Sequence, residues 1–369
     1  MFLLDIALIV GGLVLLVAGG EALVRSASTL AKRVGISPLV IGLVVVSAAT
    51  SAPEFAVTVG AVLSGEPDLA VGNVVGSNIV NVLFILGLSA LVLPLIIKRQ
   101  LVRIDIPIMV GLSLLLVVVS LDGSISALDG VMLLAVLLGH TILSVILGRR
   151  EVRAERAGVV VTPLTEEARP LPLWLAGLLL IGGIGLLVFG AQLLVDGAVS
   201  IATGLGVSSL VIGLTVVAIG TSLPELATSL IAVRRGERDM AVGNIVGSNI
   251  FNIGMVLGVP ALLVEGGIPV PAAAIALDLP LMLATAVALI PIAFTGFVIA
   301  RWEGGLFVAL YITYTAYLVL ASTQHGALEG FTGVMLWFVL PLVAVTLIAV
   351  TAFEVGVIRE RRASPRIDT

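Results

Sequence analysis

The chain has 369 residues, of which 59% are hydrophobic and 11% charged, with a mean hydropathy of +1.25 and a formal net charge of −4. So little polar surface excludes a soluble domain, the lack of cysteine excludes disulfides and thiolate metal centres, and two isolated histidines exclude a histidine zinc cluster. Any metal site must therefore be built from oxygen.

Runs of about 20 apolar residues, enough to cross roughly 30 Å of hydrocarbon, recur down the chain. They predict about eleven spans, near 4–24, 38–63, 70–95, 104–121, 126–148, 172–196, 207–233, 240–264, 274–299, 304–322 and 333–357. The first follows an acidic Asp5 rather than a basic head and is too long for a signal segment, so it is read as a retained helix. The second carries IGLVVVSAATSAPEFAVT (Ile41 to Thr58) and the third AVGNVVGSNIVNVLFILGL (Ala70 to Leu88). Asp105 opens the fourth, where a helix cap is expected. His140 stands alone in the fifth, as a satisfied interior residue. A polar linker from Arg149 to Pro172 precedes the sixth. The seventh and eighth carry IGLTVVAIGTSLPELATS (Ile212 to Ser229) and AVGNIVGSNIFNIGMVLGV (Ala241 to Val259), near copies of the second and third. Asp278 opens the ninth as Asp105 opens the fourth, and is likewise expected to cap.

Charge placement checks this list independently. With the N-terminus outside, all 19 lysines and arginines fall on the inner side: Arg25, Lys32 and Arg33, Lys98 to Arg103, Arg149 to Arg169, Arg234 to Arg238, Arg301 and the tail from Arg359 to Arg366. The other side carries Glu66, Asp68, Asp122, Glu265 and Glu329. The expectation is a multi-pass protein of the cell membrane with its N-terminus outside and its C-terminus inside.

The duplication organises everything else. Thr50 and Thr221, Glu54 and Glu225, Ser77 and Ser248, and Asn81 and Asn252 are each 171 residues apart, and the same offset carries Gly11-Gly12 onto Gly182-Gly183. Asp105 and Pro107 answer Asp278 and Pro280, and Asp129-Gly130 answers Glu303-Gly304. One unit holds five spans, and an odd number of crossings sends the second unit in from the opposite side. The fold expected is an all-α integral membrane protein: an inverted repeat of two five-helix units plus one extra C-terminal transmembrane helix. The units are 1–148 and 172–322, joined by the inner-side linker 149–171 and followed by the additional helix and basic tail, 323–369.

A carboxylate costs several kcal/mol to bury in hydrocarbon, so Glu54 and Glu225, each inside an apolar span beside proline, serine and threonine, mark a polar site. Pro53 and Pro224 each remove a backbone hydrogen bond and loosen the turn before them, freeing carbonyls near Thr50 and Thr221. Thr50 and Glu54 stand four apart, as do Ser77 and Asn81, so each pair shares a helix face. With the second copy these give two carboxylates, hydroxyls, amides and carbonyls, a hard oxygen-only set of formal charge −2 that suits calcium. The rival reading of the GNVVGSN and GNIVGSN strings, plain small-residue helix contacts, loses force because both copies accompany a PE motif.

The twofold GTSxPE-like and GNxxGSNxxN-like strings resemble the alpha repeats of the sodium/calcium exchanger family, within the cation/calcium exchanger superfamily and of its prokaryotic type. The likeness covers the first ten spans. It implies that Glu54 and Glu225 form the central ion site. It also implies carbonyl ligands from Thr50 and Thr221, and side-chain ligands from Ser51, Ser77, Asn81, Ser222, Ser248 and Asn252. It further implies that one calcium or several sodium ions bind at overlapping positions and exchange by alternating access, with spans one and six as the sliding pair. Two departures stand out: Ala49 replaces a usual glycine, which Gly220 retains, and Asn252 stands where relatives often carry the aspartate associated with potassium dependence. Potassium co-transport is therefore not expected.

The function expected is a secondary Na⁺/Ca²⁺ antiporter in the lipid bilayer. It is not an enzyme, and neither a cofactor, a nucleic acid nor an obligate protein partner is implied. The alternative is a Ca²⁺/H⁺ exchanger in which the same two glutamates take up protons in the return step. A passive channel or an intramembrane protease fits less well, since inverted repeats with broken helices suit alternating access and neither an HExxH string nor a paired-aspartate constellation occurs.

Overall fold

A computed structural model describes residues 2–156, 171–207, 218–294 and 296–346, together with the isolated positions 212, 215, 216, 348, 349 and 352. Most of the linker, the basic tail and the first half of the seventh expected span lie outside the described residues.

Helix α1 (Phe2–Val34) runs well past the expected end at residue 24, because the polar stretch after Ala22 contains no helix breaker until Gly35, which takes φ +71° and ends it. A broken pair follows, α2 (Pro38–Thr50) and α3 (Ala52–Leu63), bent by 42°. Then come α4 (Pro67–Val92), α5 (Leu101–Asp122), α6 (Ala127–Arg156) and α7 (Leu173–Gly204). The second half continues with α8 (Leu223–Arg234), α9 (Arg238–Ala261), α10 (Ala274–Ala293), α11 (Arg301–Ser322) and α12 (Leu328–Thr346). Among the described residues nine helices are long and apolar enough to cross a membrane singly, and the bent pair makes a tenth.

Burial orders these helices by role. The motif-bearing α4 and α9 are the most enclosed, whereas α1, α7 and α11 bury only a narrow face and α12 buries none. Their outward side chains, Val10, Val14, Val17, Ile181, Phe189 and Trp337 among them, are apolar and exposed, as a lipid-facing surface requires.

Packing contacts recur in reciprocal pairs. Where α1 crosses α7, Gly12 meets Gly190 and Gly19 meets Gly183; a Cβ on Gly12 would lie 2.6 Å from the Gly190 carbonyl oxygen, and one on Gly19 would lie 2.8 Å from that of Gly183. Only glycine lets these backbones approach so closely. Gly87 of α4 rests on Gly304 of α11 just as Gly258 of α9 rests on Gly130 of α6. Two short antiparallel ladders tie the ends: β1 (Leu95–Ile96) with β4 (Val298–Ile299), and β2 (Ser124–Ile125) with β3 (Ile268–Pro269). In each case the correspondence between the halves, an offset of 171 in the early spans and 173–174 in the later ones, turns one contact into the other, as an internal two-fold would.

Charged groups gather at one end of the bundle. Lys98 pairs with Glu151 and Asp239, at 2.9 and 3.1 Å, Arg235 pairs with Glu21, and Arg238 and Arg301 donate to the carbonyls of Pro94 and Val92. Ser28 of α1 donates to Glu237. Burial lowers the affinity of the Lys98 amine for its proton, but Asp239 and then Glu151 outweigh it, and the net effect holds its pKa above the usual lysine value.

Asp105 and Asp278 correct the capping expectation. Both lie inside continuous helix, and neither carboxylate caps a terminus. Asp105, fully buried, instead accepts from His140 Nε2 at 2.9 Å and from Ser144 at 3.4 Å. Asp278 accepts from the Tyr314 hydroxyl at 3.3 Å. His140 is thus partnered at Nε2, whereas its buried Nδ1 has no partner among the described residues, so the expected satisfaction is only half met.

Candidate ion-binding site

Two helix breaks build the site. Ser51 (φ −78°, ψ 3°) and Ser222 (φ −92°, ψ 9°) leave the helical region, and α3 and α8 start afresh immediately after them. Pro53 and Pro224 sit in the first turn of the new helices, where a missing N–H costs nothing. The proline therefore restarts a helix rather than kinking one. That geometry puts Glu54 and Glu225 in the first turn of α3 and of α8, where unpaired backbone N–H groups and the helix dipole favour negative charge at membrane depth.

Both carboxylates are fully buried. The Ser222 hydroxyl donates to Glu54 Oε1 at 3.3 Å, tying the second break to the first acid. Thr50 comes near Glu225, short of full hydrogen-bond geometry. Its hydroxyl donates to Asn244 Oδ1 at 3.3 Å and shares a 3.4 Å contact with Ser248. Thr50, Ser51, Ser77, Asn81, Ser222, Ser248 and Asn252 are all buried, whereas Thr221 is half-buried. Thr221 and Ser77 instead line a cavity of about 390 Å³ that also reaches Asp278.

Four asparagines of the duplicated motif emerge only from the structure. Asn81 donates to Asn249 Oδ1 at 3.1 Å and Asn252 donates to Asn78 Oδ1 at 3.2 Å, a cross-linked pair related by the repeat. Asn73 donates to the Glu54 carbonyl and to Thr58, and Asn244 donates to Ser229, so each brace holds a half-helix against the neighbouring span. The signal lay in the strings themselves, since each of these asparagines occurs in both copies.

With their amide nitrogens committed, Asn81 and Asn252 are left with unpartnered side-chain carbonyls. Together with Ser51 Oγ, Ser77 Oγ, Glu54 Oε2 and both carboxylate oxygens of Glu225, seven buried oxygens on the two motifs lack a hydrogen-bond partner. Native interiors satisfy nearly all such groups, and five of the seven, the carboxylate and amide oxygens, are pure acceptors when the acids are ionised, an arrangement able to take a cation. Among the described residues no group of three or more acidic or histidine side chains clusters to hold a metal; the two motifs bring two acids and neutral oxygens.

The family model for sodium/calcium exchanger proteins matches this chain over residues 4–146 and 175–320. The chain belongs to the sodium/calcium exchanger family. This exchanger is 42% identical over 268 residues to inner membrane protein YrbG of Escherichia coli K12, covering 72% of this chain and 82% of the relative. It is 39% identical over 280 residues to the putative antiporter CaxA of Alkalimonas amylolytica, covering 76% and 86%. Structures of the sodium-calcium exchanger NCX_Mj, soaked with or without Na⁺ and Ca²⁺, superpose with a TM-score of 0.72–0.73 at 33–34% identity, covering 86% of this chain and 99% of that one. The family is one of membrane transporters that exchange cations, and this exchanger is a multi-pass membrane protein.

Proposed function

We propose that this exchanger moves Ca²⁺ against Na⁺ by alternating access at a site made by Glu54 and Glu225, with Thr50, Ser51, Ser77, Asn81, Thr221, Ser222, Ser248 and Asn252 as the surrounding oxygen ligands. The observation that carries this reading is the convergence of two fully buried carboxylates and unpartnered neutral oxygens where two helices break. Calcium takes six to eight oxygen ligands. Two charges balance one such ion and hold sodium through the same oxygens, so the two cargoes compete.

The two matched segments, together with the reciprocal contacts, support an inverted repeat of units 1–148 and 172–322 around the linker 149–171, with 323–369 as an appendage. An inner position for the cluster around Lys98 and Arg235 follows from the positive-inside rule and leaves the N-terminus outside. In this reading α1 and α7, which pack chiefly on each other and carry broad exposed apolar faces, slide together across the core to switch access.

Calcium uptake into proteoliposomes under separately imposed sodium, proton and potassium gradients tests the proposal. Sodium-driven uptake is expected, with calcium affinity reduced at least about thirtyfold by Glu54→Gln or Glu225→Gln, since removing one member of a buried charge arrangement costs about 2–5 kcal/mol. Uptake driven by protons and indifferent to sodium would refute sodium coupling.

A further inference from the structure

Asp278 is a carboxylate in an apolar span that stands outside the set of ion ligands proposed above. It lies in the apolar span α10, is half-buried, has no cationic partner among the described residues, and accepts a hydrogen bond from the Tyr314 hydroxyl. It lines, together with Ser77 and Thr221, the cavity of about 390 Å³. An acid kept inside a membrane protein against its desolvation cost marks a site for something positive.

The walls say what kind of cation fits. Val57, Leu69, Val75, Val80 and Leu318 contribute aliphatic carbon, and Tyr311 and Tyr314 contribute rings. Tyr311 is held by a ring contact with Phe84 at 5.1 Å between centroids. The oxygens near Asp278 are few and already engaged: Tyr314 donates to the acid and the Thr315 hydroxyl donates to the Tyr311 carbonyl. A bare metal ion would find too few ligands. An organic cation would pair its charge with Asp278, set its head against the tyrosine rings and bury its apolar body on the aliphatic wall.

We propose that this cavity is a binding site for a small lipophilic ammonium ion, and that its occupant abuts Ser77 and Thr221 and so blocks ion exchange. The blocking effect rests on the function proposed above; the binding does not.

Equilibrium binding of radiolabelled benzyltrimethylammonium to the purified full chain tests the site, and inhibition of sodium-driven calcium uptake by the same probe tests the block. Saturable binding is expected, weakened about tenfold or more by Asp278→Asn and less by Tyr314→Phe, with both variants folded and retaining probe-free calcium uptake. Absence of saturable binding, or equal binding by wild type and both variants, overturns the site. Loss of probe-free uptake in a folded Asp278→Asn variant also overturns it, by putting that acid in the path of the transported ions. A chain that bound the probe but carried no sodium-driven calcium would refute the exchange reading and leave the site standing.

Discussion

Asp105 and Asp278 hold equivalent places in the two halves, yet their surroundings differ. Asp105 is sealed between His140 and Ser144 with no exposure, while Asp278 faces a cavity and has Tyr314, at the position answering His140, as its partner. The same contrast recurs beside the ion site. Gly243 and Gly247 of α9 press on the α2 backbone, whereas their counterparts Gly72 and Gly76 of α4 have no described neighbour within contact distance and line the cavity. Thr50 is buried on the closed side and Thr221 half-exposed on the open one. Among the described residues, near-identical sequences are thus tightly packed in one half and more loosely in the other; the counterparts of Leu39 and Leu43, residues 210 and 214, lie outside the described residues.

The sharpest way to break this comparison is at the sealed acid. His140→Ala strips a buried carboxylate of its main partner and is expected to cost about 3–5 kcal/mol in stability, read as a lowered melting temperature in detergent. Tyr314→Phe, in the open counterpart, should cost only about 1 kcal/mol. Equal losses would show that the two pockets do not differ in burial.

A second pair of substitutions separates folding from movement. Gly247→Ala drives a methyl into the Leu43 backbone and is expected to destabilise by about 1–3 kcal/mol. Gly76→Ala meets nothing among the described residues and should fold normally. If the halves trade environments during transport, Gly76→Ala will nonetheless slow calcium turnover, because its turn to be compressed comes in the opposite state. Unchanged turnover would count against that exchange.

How much of this was legible beforehand depends on the kind of feature. The membrane class, the duplication and the burial of Glu54 and Glu225 were readable because apolar runs, a fixed offset and acids inside them are local patterns. The partnership of Asp105 with His140 was not, since 35 residues separate them and only the packing of α5 on α6 joins them. The crosswise bonds of Asn78 and Asn249 escaped for the same reason: each links two halves whose strings look alike but carry no mark of which asparagine meets which. The difference between Thr50 and Thr221 could not be read at all. Their motifs are near copies, and what separates the two is the packing around each, buried at Thr50 and half-buried at Thr221.

The smallest effect is expected at the basic end. Lys98 holds its proton more tightly in the folded chain than in the unfolded one, so its contribution is fully present below the ordinary lysine pKa and fades only as pH rises through the raised folded value. Lys98→Met should therefore lower the melting temperature by the equivalent of about 1 kcal/mol at neutral pH, with the gap to wild type closing only in strongly alkaline buffer. A gap that closed near pH 7 would contradict the assignment of Asp239 and Glu151 as its partners.

The central claim is that Glu54 and Glu225 jointly hold the transported ion, and diffraction from crystals soaked in Ca²⁺ tests it most directly. The account predicts a single calcium within about 2.3–2.6 Å of carboxylate oxygens from both residues. A calcium bound elsewhere, or held by one of the two acids with the other turned away, would contradict it.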